Sequence, residues 1–113
     1  MSRNKPSHLF RGSWKIVEME QWDLDFINLE GPGFIRFNAG NQGELQFGAV
    51  RAELDWRAAT STTVQRIEFS LSGHDEGDPV SGRGWAEIRE DVLNGHLYFH
   101  LGDDSWFKAE KPR

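Results

Sequence analysis

Residues Arg51–Ala58 alternate without exception between charged and apolar side chains. Arg51, Glu53, Asp55 and Arg57 interleave with Ala52, Leu54, Trp56 and Ala58. Strict period-two alternation puts one set on each face of an extended strand, and no helix tolerates it. The same period returns along the chain. Gln65, Ile67, Phe69 and Leu71 alternate with Val64, Arg66, Glu68 and Ser70; Leu93, Gly95, Leu97, Phe99 and Leu101 alternate with Asn94, His96, Tyr98 and His100. Shorter versions occur at Ile35/Phe37, Leu45/Phe47, Ala86/Ile88 and Phe107/Ala109, and a first strand is expected over Ser13–Glu20. Only Glu20–Glu30 departs. Trp22, Phe26 and Leu29 are spaced by four and three, and Gly31-Pro32-Gly33 ends the segment, which predicts a short helix or lid near 21–29.

Turn chemistry divides the strands. Ala39–Gly43 reads as a hairpin loop, Thr60–Ser61 as a two-residue turn, Gly73–Ser81 as a long loop and Gly102–Ser105 as another turn. The Thr60–Ser61 turn sets Leu54 opposite Ile67 and makes Trp56 and Gln65 neighbours. For the following hairpin, Asn94-Gly95 is the stronger local turn signal, but it aims Glu90 into the core. Burying an unpaired carboxylate costs far more than a turn preference returns, so the turn is placed at Glu90-Asp91. That choice pairs Ile88 with Leu93 and Ala86 with Gly95, and leaves Gly95 as a point of close approach within a strand. Gly48-Ala49-Val50 is either a turn or a bulge, so the strand count is seven or eight.

Sequential antiparallel strands with short connections expose two edges unless the sheet closes. The predicted fold is therefore all-β: an antiparallel up-and-down barrel of seven or eight strands with one short lid, a two-sheet sandwich being the alternative. Residues 1–11 are read as a flexible N-terminal arm and 12–113 as a single barrel domain. The 113 residues carry 14 aromatic rings and no cysteine, so a few large side chains supply the core volume and no disulfide supports it. Absent cysteine fits a reducing cytoplasm, where the chain is expected. The formal charge of −5 and the lack of a basic run argue against nucleic acid. No apolar stretch is long enough for a membrane span or a secretory signal.

Gly12-Ser13-Trp14 opens the first strand. A Gly-x-Trp at that place resembles the signature of the calycins, the lipocalin, fatty-acid-binding and avidin-like barrels. The resemblance extends over the strand pattern from Gly12 to about Lys111. It implies an eight-stranded barrel whose tryptophan packs across the floor against a basic residue of the last strand, here Lys108 or Lys111. Small-ligand binding is a common use of such barrels. The chain is shorter than lipocalins, has no disulfide and shows no avidin-like biotin site.

Two working surfaces follow from strand parity. Inside, Phe47, Trp56, Gln65, Phe69 and Phe99 are candidate contacts for a small apolar or aromatic ligand, or else they simply fill the core. Outside, Trp85, His96, Tyr98 and Trp106 fall on one face of the last three strands, with Arg83 opposite Tyr98 and His100 near Lys108. That strip is either covered by the lid, or a surface for a partner or a second copy, or a set of scattered rings. His96 and His100 are four residues apart along a strand, about 13 Å, too far to share one ion. His74 with Asp75, Glu76 and Asp78 lacks a calcium-loop spacing. No metal or cofactor is expected, and no nucleophile or nucleotide motif is present. The expected function is a non-catalytic small-ligand-binding barrel; the alternative is an interaction or homo-oligomeric module working through the outer strip.

Overall fold

The computed structural model describes residues 7–59 and 65–112. They form an all-β closed barrel of eight antiparallel strands in sequence order. The strands are β1 (Gly12–Met19), β2 (Phe34–Asn38), β3 (Gln42–Phe47), β4 (Val50–Ala58), β5 (Arg66–Asp75), β6 (Asp78–Arg89), β7 (Val92–Phe99) and β8 (Asp104–Glu110). β1 pairs with both β2 and β8, so no edge is left open. Of the two architectures weighed from the sequence, the barrel is the one observed. Among the described residues no helix is long and apolar enough to cross a membrane.

The turns account for the count of eight. Gly48, at φ +57, begins a two-residue turn between Phe47 and Val50, so β3 and β4 are separate strands. Glu90 and Asp91 both take positive φ, at 52° and 68°, and join β6 to β7 with Ile88 facing Leu93 and Ala86 facing Gly95. That is the register chosen over Asn94-Gly95.

The strand ladder corrects three expectations about β4 to β7. Thr60–Ser61 lies outside the described residues, but the strands flanking it exclude the register that it implied: Leu54 faces Leu71 rather than Ile67, and Trp56 faces Phe69 rather than Gln65. Gly73–Ser81 is not a loop. β5 runs on to Asp75 and β6 begins at Asp78, with only Glu76-Gly77 between them. Gly73 is required there because a Cβ would lie 1.9 Å from the Arg51 carbonyl oxygen of the neighbouring strand. Leu101 does not continue the inward row of β7; it sits in the turn after the strand and is 95% exposed.

The inner residues of all eight strands form one core, joined by Ile27 of helix α2 (Leu24–Ile27) and Phe10 of helix α1 (Ser7–Phe10). The arm reading fails for Phe10, which is fully buried and packs edge-on against Phe37 at 6.3 Å. Residues 1–6 of that arm lie outside the described residues. α1 closes one end of the barrel: Trp14 Nε1 donates to the Phe10 carbonyl at 2.8 Å. Lys111, just past β8, holds its ammonium 4.8 Å from the Trp14 ring centroid and donates to the Arg11 carbonyl. α2 covers the other end within the predicted lid. Asp23 caps it by accepting from the Phe26 N–H at 2.9 Å, and Gly48 N–H donates to the Ile27 carbonyl at 3.0 Å.

Candidate functional site

Alternation on β5–β8 generates a regular outer grid. Glu68, Trp85, His96 and Trp106 lie in one cross-strand row; Ser70, Arg83, Tyr98 and Asp104 form the next; Arg66, Glu87, Asn94 and Lys108 form the row on the other side. The four aromatic residues expected on this face are all there. His100 is not near Lys108 in the ladder, because β7 ends at Phe99 and Lys108 faces Asn94.

Side chains on this grid stack into a continuous series. The Arg66 guanidinium lies 4.1 Å from the Trp85 ring centroid. Trp85 is stacked toward His96 at 6.5 Å with 23° between planes, and His96 stacks on Tyr98 at 4.5 Å with 24°. Arg83 ends the series, 4.6 Å from the Tyr98 centroid. Beside it Lys108 lies 5.8 Å from the Trp106 ring. Each cation–ring contact at a partly exposed site contributes about 0.5–1 kcal/mol. Trp85, His96, Tyr98 and Trp106 are all half-buried.

Hydrogen bonds to two carboxylates fix the series in place. Glu87, only 5% exposed, accepts from Arg66 and from Arg89, each at 2.9 Å. His96 Nε2 lies 2.6 Å from Asp104 Oδ2. A carboxylate oxygen only accepts, so Nε2 carries the proton of that bond. Stacking and pairing together hold the rings in one geometry before anything binds.

The lid does not cover this strip. Trp22 turns to the barrel mouth, 4.9 Å from Phe47, and stacks on Phe26 at 6.1 Å. Next to the strip, the outer wall of β4–β7 holds an open groove of about 400 Å³. Trp85 and Tyr98 form its apolar side, with Asp55, Arg57, Glu68 and Arg83 around it.

The interior is occupied by its own rings. Phe37 meets Trp56 at 5.4 Å and Phe69 at 6.3 Å, and Phe47 meets Phe99 at 6.2 Å. Phe69 and Phe107 lie so close on Gly84 and Gly95 that a Cβ at either glycine would be 2.5 Å from the ring. Trp56 has already used its polar group, donating from Nε1 to the Gln42 carbonyl at 2.8 Å. Gln65 stands outside the strands and is exposed, so it does not join Trp56 as a polar contact. Phe47, Trp56, Phe69 and Phe99 are thus brought together as packing partners.

Arg66, Glu87 and Asp104 were not singled out from the sequence, although all three occupy outward positions of their strands. Parity puts them on the right face. What picks them out from other surface charges is the side-chain conformation, which spacing does not encode. No family model, no curated protein and no solved structure matches the chain.

Proposed function

We propose that this chain is a non-catalytic binding protein of calycin-like build whose binding surface is the outer wall of β4–β8 rather than the barrel lumen. The calycin-like part rests on the closed eight-stranded barrel and on Trp14 of Gly12-Ser13-Trp14, packed beneath Lys111 at 4.8 Å where the resemblance asks for a basic residue. The binding surface rests on a single observation. The stack from Arg66 through Trp85, His96 and Tyr98 to Arg83 is pinned by Glu87 and Asp104 beside an open groove. Rings pre-ordered on a sheet lose little freedom on binding, which is why aromatic residues and arginine dominate binding hot spots. The inner rings, by contrast, pack on one another, Phe37 on Trp56 and Phe69 and Phe47 on Phe99.

The test is native mass spectrometry of the protein exposed to a metabolite mixture, comparing wild type with Trp85→Ala/Tyr98→Ala. Both side chains are on the outside, so the double variant keeps the core. A retained ligand in the wild type that disappears in the variant supports the outer wall. A ligand retained equally by both moves the site elsewhere, and the inner cluster of Phe47 and Phe99 becomes the place to look.

The same surface supports a second reading, self-association. The observation favouring it is the continuity of Trp85, His96 and Trp106 across three strands, a row that a two-fold copy of itself could meet. Sedimentation velocity separates the two: a dimer that dissociates in Trp85→Ala supports association, and a monomer at high concentration removes it.

A further inference from the structure

The groove beside the strip has an unusual charge arrangement. Asp55 and Arg57 on β4, Glu68 on β5 and Arg83 on β6 surround it, two carboxylates and two guanidinium groups. None of the four takes part in an ion pair among the described residues, even though Arg57 and Glu68 are directly opposite in the ladder. Elsewhere on this face Arg66 and Arg89 are committed to Glu87, and His96 to Asp104. Ser70 adds a hydroxyl to the lining, and Trp85 and Tyr98 supply an apolar side.

This composition selects among ligand classes. A carboxylate only accepts hydrogen bonds and a guanidinium only donates them. A ligand that satisfies both kinds around one groove needs donors and acceptors at neighbouring positions. The charges sum to zero, so a polyanion meets Asp55 and Glu68 without a net attraction to offset them. An apolar ligand would strip water from four charged groups and return nothing. A ring of hydroxyl groups meets each demand, because every hydroxyl both donates and accepts, and its C–H groups pack against the edges of Trp85 and Tyr98, whose faces are taken up by the stack. The groove volume of about 400 Å³ is within the usual range for small-ligand sites. We infer that the groove between Asp55/Arg57 and Trp85/Tyr98 is a binding site for a neutral saccharide. The inference rests on the outer-wall reading above and names its ligand class.

The experiment is an amide and indole nitrogen–proton NMR titration with cellohexaose, chitohexaose and maltohexaose at millimolar concentration. At least one sugar is expected to shift the Trp85 indole N–H together with the Ser70 and Gly84 amides. Trp85→Ala and Glu68→Gln are each expected to weaken that binding about tenfold, the scale of one lost anchor. Glu68→Gln keeps the shape and removes only the charge, and its undisturbed spectrum elsewhere shows that the fold is kept. Absence of shifts with all three sugars overturns the saccharide class. If the metabolite lost from Trp85→Ala/Tyr98→Ala is then of another kind, the outer-wall reading stands without it. Sugar-induced shifts that map away from the groove, or that neither variant alters, overturn the saccharide site and its placement together.

Discussion

The Lys111 ammonium lies 4.8 Å from the centre of the Trp14 indole and donates to the Arg11 carbonyl, while that indole donates to the Phe10 carbonyl at 2.8 Å. One residue past the last strand therefore fastens the segment that precedes the first. Lys111→Ala removes both the cation over the ring and the donor to Arg11. The expected loss is about 1–2 kcal/mol, one cation–ring contact and one hydrogen bond, read by urea unfolding at neutral pH. A loss below the error of the measurement would show that α1 is held by Phe10 alone.

Burial also pushes the Lys111 amine below its ordinary value of 10.5. In the unfolded chain the amine returns to that ordinary value. Between the two values the unfolded state binds more protons than the folded state, so folding is favoured as pH rises through that window. The neutral amine still donates to Arg11. Measured against Lys111→Met at each pH, wild-type stability is expected to increase from neutral pH toward 10.5. A flat difference would mean that the amine is fully hydrated, and a falling one that the contact with the Trp14 ring outweighs burial.

The closed barrel and the order of its strands were legible because period two is hard to imitate. The β6–β7 register was legible because the rival turn at Asn94-Gly95 would have buried Glu90. The β4–β5 register was not. Leu54 faces Leu71 where the sequence reading had Ile67, a slip of 71 − 67 = 4 residues. An even slip leaves every side chain on its original face, so hydrophobic alternation cannot detect it. The length of the connection decides it, and Gln65 was assigned inward for want of that length. Phe10 is missed for a different reason: a lone ring in a polar segment has no period. Leu101 is the converse, an apolar residue that keeps the period of β7 after the strand has ended. The outer strip was legible as four aromatic positions; the charged residues that fix it, Arg66, Glu87 and Asp104, become visible only once the side chains are placed.

Phe69 covers Gly84 at the centre of the β5–β6 pair. A Cβ there would stand 2.5 Å from Phe69 Cζ and 2.5 Å from the His96 carbonyl oxygen. Gly84→Ala is therefore overpacked on both sides, and an expected cost of about 1–3 kcal/mol follows, measured by urea unfolding. Adding Phe69→Leu clears the ring but not the backbone oxygen, so the double variant is expected to recover only part of the cost relative to Phe69→Leu alone. An alanine accepted without loss would show that the wall has slack, and would reopen the lumen to a ligand.

Glu87 is nearly buried on an outer face, which is unusual for a carboxylate, and it is held by two arginines at 2.9 Å. Only Arg66 of the two is itself largely covered, at 28% exposure against 68% for Arg89. Glu87→Gln keeps the size and one acceptor but loses the charge. The expected cost is about 1–2 kcal/mol, since a hydrogen bond to a charged group is replaced by a weaker neutral one. Arg66 lies 4.1 Å from the Trp85 centroid while its guanidinium also pairs with Glu87, so the variant is expected to alter the surroundings of Trp85. A shifted Trp85 indole N–H resonance, with the Trp14 and Trp56 resonances unmoved, is the expected signature. If the Trp85 signal also stays in place while stability falls, Glu87 is a purely structural ion-pair partner and the order of the strip is set by His96 and Asp104 instead.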